Sequence, residues 1–180
     1  QLANKKYLKD GGRHNEKIVF KLLGVVKSIQ NKKIAIIPAR GGSKRIPGKN
    51  IKPFLGKPII EYSIIAAKNA GCFDEVMVST DDQKIGELAS SMGAVVPFKR
   101  SVETSNDHAT TAEVIAEVLN EYKKIGKEFK YCCSIYPTAP FITNGKLKDA
   151  YEKLVQTGAD SVVPVVKFGF PIQRSFKIED

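Results

Sequence analysis

No apolar run in this 180-residue chain reaches the ~20 residues that a membrane-spanning helix needs, and lysines break the longest of them. A hydrophobic content of 42% agrees, so no membrane partner is expected. Residues 18–26 resemble a signal core, but Lys21 divides them and no small-residue cleavage site follows, which points to a soluble, cytoplasmic protein. Cysteine is scarce and odd in number: Cys72, Cys132 and Cys133, the last two adjacent in an apparent strand. That excludes a sensible disulfide framework and predicts buried free thiols. Internal repeats and low-complexity tracts are also missing. One compact domain with a proper core is the simplest organisation at this length.

Acidic residues are missing altogether from one stretch. The net charge of +10 divides unevenly: residues 1–31 carry 7 basic and 2 acidic side chains, residues 32–58 carry 8 and 0, and residues 59–180 carry 14 and 17. The excess is therefore local, which suits one focused anion site better than an extended groove for a phosphate backbone. Within the acid-free stretch, residues 36–50 read IIPARGGSKRIPGKN, placing Arg40, Lys44, Arg45 and Lys49 around Gly41, Gly42 and Gly48. Glycines let the backbone approach an anion and point N–H groups at it, while the cations neutralise the arriving charge. A solvated basic turn between a strand and a helix is the plainer reading.

Residues 1–31 do not resemble the rest. Asp10-Gly11-Gly12-Arg13 reads as a turn, and residues 16–29 have helical spacing through Ile18, Leu22, Val25, Val26 and Ile29. This piece is expected to be an extension or the remnant of a preceding domain. From residue 32 the pattern alternates between short apolar runs and amphipathic stretches. Strands are predicted at 33–38, 75–79, 94–98, 130–136 and 160–166. Helices are predicted at 58–70, at 81–92 capped by Thr80, after a Thr110/Glu113 capping box, and at 145–157 capped by Asn144. The helix after the capping box is expected to turn Val114, Ile115, Val118, Leu119, Tyr122 and Ile125 toward the core. Alternating strands and helices predict an α/β domain over 32–180, with a mostly parallel sheet covered on both faces. Ligands bind such sheets at the carboxyl ends of the strands, where the basic loop falls. A last strand-like piece, residues 174–178, ends at Asp180 with no closing helix, as if the domain were cut short.

Three further loops leave strand ends on the same side. In Ser79-Thr80-Asp81-Asp82, helix capping accounts for the residues. Residues 100–111, RSVETSNDHATT, are dense in groups able to hydrogen-bond a base or ribose; His108 has no nucleophile or metal-ligand spacing beside it. Residues 136–144, YPTAPFITN, carry Pro137 and Pro140, which hold a turn rigid after a buried strand. That strand ends in Tyr-Pro-Thr without the Asp-x-Asp that many nucleotide-sugar enzymes use for a metal, and no His/Cys/Asp cluster elsewhere has ligand spacing.

With these motifs in order, IPARGGSKRIPGKN, PFLGKPIIEYSI, VSTDD, SNDHATT, YPTAPF and FPIQR, the chain resembles the acylneuraminate cytidylyltransferase family over residues 33–178, and its pseudaminic acid branch most. The resemblance implies a Rossmann-like nucleotide-diphospho-sugar transferase fold. It also implies transfer of CMP from CTP to a nine-carbon keto sugar acid, with Mg²⁺ as cofactor and a homodimer as assembly. It places Pro38, Ala39, Arg40, Gly41, Gly42, Ser43, Lys44, Lys49 and Asn50 along the nucleotide, with Arg40, Lys44 and Lys49 as the catalytic cations. Arg100, Ala109 and Thr111 match positions that border cytosine; Tyr136, Thr138, Gln173 and Arg174 match positions that face the sugar acid. Tyr136 departs from the glutamine of many sialic acid members. The family's acidic metal ligands are expected beyond Asp180. Sialic acid and 3-deoxy-octulosonate cytidylyltransferases are the alternatives within the class. The alternative outside it is a basic nucleic-acid-binding module, which lacks stacking aromatics, since residues 32–58 hold only Phe54.

Overall fold

Lys33–Pro38 is apolar at every central position, and the computed structural model, which describes residues 31–165, buries Ile34 to Ile37 completely in strand β1. A strand this apolar must be covered on both faces. Odd and even residues divide the core accordingly. Ala35 and Ile37 join one cluster with Val78, Ile60, Ile64, Ile85 and Leu147, while Ile34 and Ile36 join Met77, Val118 and Tyr122 on the other face.

The elements follow in the order β1, a short 3-10 turn at Lys49–Ile51, a two-residue hairpin of β2 (Pro53–Phe54) and β3 (Lys57–Pro58), α1 (Ile59–Asn69), β4 (Glu75–Ser79) and α2 (Gln83–Ser91). Then come α3 (Val102–Ser105), α4 (Thr111–Lys124), β5 (Tyr131–Ser134) and α5 (Asn144–Thr157). The main sheet has the order β4-β1-β5 and is parallel throughout, with Ile34 opposite Glu75 on one side and Cys132 on the other. Helices α1 and α5 pack on one face and α4 on the other. The predicted α/β class, with helices on both faces, is what forms.

Several local expectations are corrected. Residues 94–98 make one parallel bridge, Val95 to Met77, instead of a strand, because Pro97 removes the next backbone donor. Residues 160–165 form no strand and are exposed, having no neighbour to pair with among the described residues. Helix α2 is capped by Asp82, whose carboxylate accepts from the Ile85 N–H at 3.1 Å; Thr80 accepts only from the Asp82 N–H. Thr143, not Asn144, caps α5. Ile125 ends α4 and is exposed. Of the thiols Cys72 is buried, Cys133 half-buried and Cys132 exposed, since β5 is the outer strand of the described sheet. The capping box of Thr110 and Glu113 forms as expected. The helical spacing at 16–29 and the strand-like piece at 174–178 lie outside the described residues.

Candidate active site

The basic loop leaves β1 at Pro38 and is tied to the sheet at once, the Ala39 N–H donating to the Ser79 carbonyl at 2.9 Å. Ala39 is fully buried, so its side chain belongs to the core and does not face the cleft. Ten residues on, the Asn50 amide donates to the Arg40 carbonyl at 2.9 Å and closes the loop into a ring. Gly48 takes φ 62 at the entry to the 3-10 turn that makes this return, a conformation that glycine adopts without strain. Asn50 is buried, and its Oδ1 has no partner among the described residues. A buried acceptor without a donor is unfavourable by about 1–3 kcal/mol, so a water or a bound molecule is expected to donate to it.

The loop rests on the acid pair after β4. The Gly41 N–H donates to the Asp81 carboxylate at 2.9 Å, so helix capping does not account for Asp81 as expected of its loop. Gly41 must be small: a Cβ there would lie 2.8 Å from the Asp82 Cβ, whereas at Gly42 nothing among the described residues stands within 4 Å. Gly41→Ala should therefore destabilise the protein by about 1–3 kcal/mol and Gly42→Ala hardly at all, which urea unfolding of the two variants will compare.

The second wall is the segment between Arg100 and Thr111. Arg100 is buried; its Nε donates to the Thr104 hydroxyl at 3.4 Å and a terminal nitrogen to the Thr104 carbonyl. Burial lowers its pKa, while the charges of Asp81 and Glu117 oppose that effect. Glu117, nearly two helical turns inside α4, anchors the segment by accepting from the Ser101 N–H at 2.8 Å, the Ser101 hydroxyl at 3.1 Å and the Thr104 hydroxyl. Burial raises the Glu117 pKa, but these hydrogen bonds outweigh it and hold the carboxyl below its usual range. Glu117, as a depressed carboxyl, contributes stability above its unfolded-state pKa and loses it as the pH falls through the folded one.

The third wall follows β5. Tyr136 is exposed and Pro137 buried, and the Ser63 hydroxyl of α1 donates to the Tyr136 carbonyl at 2.8 Å. The Tyr136 hydroxyl stands 3.4 Å from that of Thr111, so the second and third walls touch.

Between the walls lies a cleft of about 190 Å³. Pro38, Arg40, Ser43, Lys49 and Asn50 line it from the first loop, Arg100, Ala109 and Thr111 from the second, and Tyr136 and Thr138 from the third. Gly41, Gly42 and Lys44 do not line it. Lys44 is largely exposed and reaches across to Asp107. Gln173 and Arg174 lie outside the described residues. Sequence reasoning passed over Asp107, which also lines the cleft and pairs with Arg40 at 2.7 Å and Lys44 at 2.5 Å. Its hydrogen bonds to Lys44 and then Arg40 depress its pKa. The overlooked signal was an acid in a facing loop, opposite four cations with no counter-charge of their own.

Among the described residues no group of three or more His, Cys, Asp or Glu side chains could hold a metal ion. Asp81 is engaged by Gly41, Asp82 by its helix cap and Asp107 by two cations. Among the described residues no helix is long and apolar enough to cross a membrane.

A profile of the cytidylyltransferase family matches residues 34–172. The pseudaminic acid cytidylyltransferase of Campylobacter jejuni subsp. jejuni serotype O:2 is 44% identical over 149 residues, which is 83% of this chain and 64% of that protein. The CMP-N,N'-diacetyllegionaminic acid synthase of Legionella pneumophila is 37% identical over 73% of this chain and 56% of its own length. Among solved structures, a CMP:2-keto-3-deoxy-manno-octonic acid synthetase complexed with CTP superposes with TM-score 0.60 and 26% identity, covering 71% of this chain and 49% of that one. The chain thus spans less than two thirds of the length of these relatives, and it belongs to the cytidylyltransferase family.

Proposed function

We propose that this protein transfers CMP from CTP to a nine-carbon keto sugar acid of the pseudaminic acid type, releasing pyrophosphate. The observation that carries the reading is the convergence of three loops, predicted separately from their sequences, on one cleft lined by Arg40, Lys49, Arg100 and Tyr136. In the reaction the anomeric hydroxyl of the sugar acid attacks the α-phosphorus of CTP. The bond to pyrophosphate breaks as the new phosphate ester forms. Arg40, Lys44 and Lys49 answer the negative charge that spreads over the phosphate oxygens, and the chemistry asks for little covalent work from side chains.

Within the cleft, Asn50 Oδ1 can only accept, so it suits a ribose hydroxyl and not a deprotonated phosphate oxygen. Arg100, Ala109 and Thr111 take the cytosine side, and Tyr136 and Thr138 the sugar acid. Arg174 is a sensible partner for the sugar carboxylate because its fork binds both oxygens, with Gln173 beside it. Mg²⁺, implied by the family resemblance, would add charge neutralisation at the phosphates. The protein is read as a cytoplasmic homodimer acting on small molecules, with neither nucleic acid nor membrane as partner.

Pyrophosphate release from CTP by the full-length protein, with Mg²⁺ present, tests the reading against a panel of pseudaminic, legionaminic and N-acetylneuraminic acids and 3-deoxy-octulosonate. Pseudaminic acid should give the highest kcat/KM. A clear preference for N-acetylneuraminic acid or 3-deoxy-octulosonate would move the protein to another branch, and no release with any acid would sink the proposal.

A further inference from the structure

Asp107 stands opposite the catalytic cations with a charge of the same sign as the substrate. It pairs with both Arg40 and Lys44, at 2.7 and 2.5 Å, and its side chain remains a third exposed. The turn that presents it is tight: the Asn106 side-chain oxygen accepts from the N–H groups of His108 at 2.7 Å and Ala109 at 2.9 Å, so Asp107 sits at the tip of a closed loop. The cleft of about 190 Å³ in which it stands is smaller than the ~300–1,000 Å³ of ordinary small-molecule sites.

From this geometry we infer that Asp107 is a tethered counter-anion that selects for highly charged phosphate ligands, occupying Arg40 and Lys44 until a polyphosphate displaces it. The inference rests on reading the cleft as a CTP site and adds what sets its threshold. A single carboxylate on two cations is a fair match for a weakly charged anion, which gains little by replacing it. A triphosphate, with several charges to offer, gains enough. Displacement also moves the 106–109 turn, and Ala109 in that turn borders the cleft, so phosphate capture and the shape of the base side change together.

The competing account is structural: the two ion pairs pin the second loop to the first, and losing them disorders the site. The two accounts differ in sign. Isothermal titration of the full chain with inorganic pyrophosphate, CMP and CTP, comparing wild type with Asp107→Asn and Asp107→Ser, decides between them. Release of two cations from one partly exposed carboxylate should tighten pyrophosphate and CTP about three- to tenfold, less at high salt. The advantage of CTP over CMP should narrow. Unchanged or weaker pyrophosphate binding in either variant that keeps the wild-type melting curve overturns the proposal. So does loss of fold in both variants, which makes the pairing structural, and so does a wild type and variants that all fail to bind pyrophosphate. If pyrophosphate tightens as expected while CTP binds no better than pyrophosphate, the counter-anion stands and the nucleotide reading fails.

Discussion

Arg40→Ala is expected to lower kcat/KM for CTP by about 10²–10³-fold, the scale of removing one preorganised donor from a site where charge develops. The side chain leaves the loop toward the cleft, and its counter-charge, Asp107, lies in the opposite wall, so little of the core depends on it. The backbone at the same residue is held separately, through its carbonyl, by Asn50. Truncation should therefore leave the melting curve close to wild type and fall on kcat as well as on KM, as it does when an interaction strengthens in the transition state. Arg40→Lys should recover only part of the loss, because a lysine restores the charge without the planar fork. A wild-type kcat in Arg40→Ala would remove this residue from the chemistry.

The largest effect on stability is expected at Tyr122. Its ring is fully buried, packed edge-on against Phe98 at 5.0 Å and Phe129 at 5.1 Å, and its hydroxyl donates to Glu75, which also pairs with Lys127 at 3.0 Å. The residue joins α4 to the sheet face formed by Ile34, Ile36 and Met77. Tyr122→Ala should destabilise the protein by about 3–5 kcal/mol, through lost apolar burial and an unfilled cavity. Tyr122→Phe keeps the ring and should show a much smaller loss, about 1 kcal/mol, from the hydrogen bond alone. Urea midpoints of the two variants measure the difference directly. Equal destabilisation would mean that the hydroxyl network, and not the packing, holds this face.

The buried parts of the fold were the legible ones. Lys33–Pro38 and Glu75–Ser79 read correctly to the residue because a strand covered on both faces has to be apolar at its centre, and Thr110 with Glu113 announced a helix start by chemistry that is local. Val95 and residues 160–165 read as strands for the same apolar reason and failed. Whether such a run pairs depends on a neighbour far off in the chain and, near Val95, on a proline that withholds a donor. The site divided the same way. Arg40 and Lys49 declared themselves by composition and Asn50 through the family resemblance, whereas Asp81 and Asp107 did not, because their partners, Gly41 and the Arg40/Lys44 pair, lie 40 or more residues away. Asp81 looked complete as part of a helix cap, and only the packed structure shows its carboxylate holding the basic loop. An acid that answers a distant loop has no local signature.

The central claim is that this cleft holds one CTP, with the basic loop on its phosphates and Asn50 on its ribose. Titration of the full-length protein with CTP, UTP, ATP, CMP and a mixed-sequence oligonucleotide at two salt concentrations tests it most directly. The account predicts one saturable site that prefers CTP over the other nucleotides and loses most of its affinity in Arg40→Ala. Tighter binding of the oligonucleotide than of CTP, falling steeply with salt, would contradict it and point to the phosphate backbone of a nucleic acid.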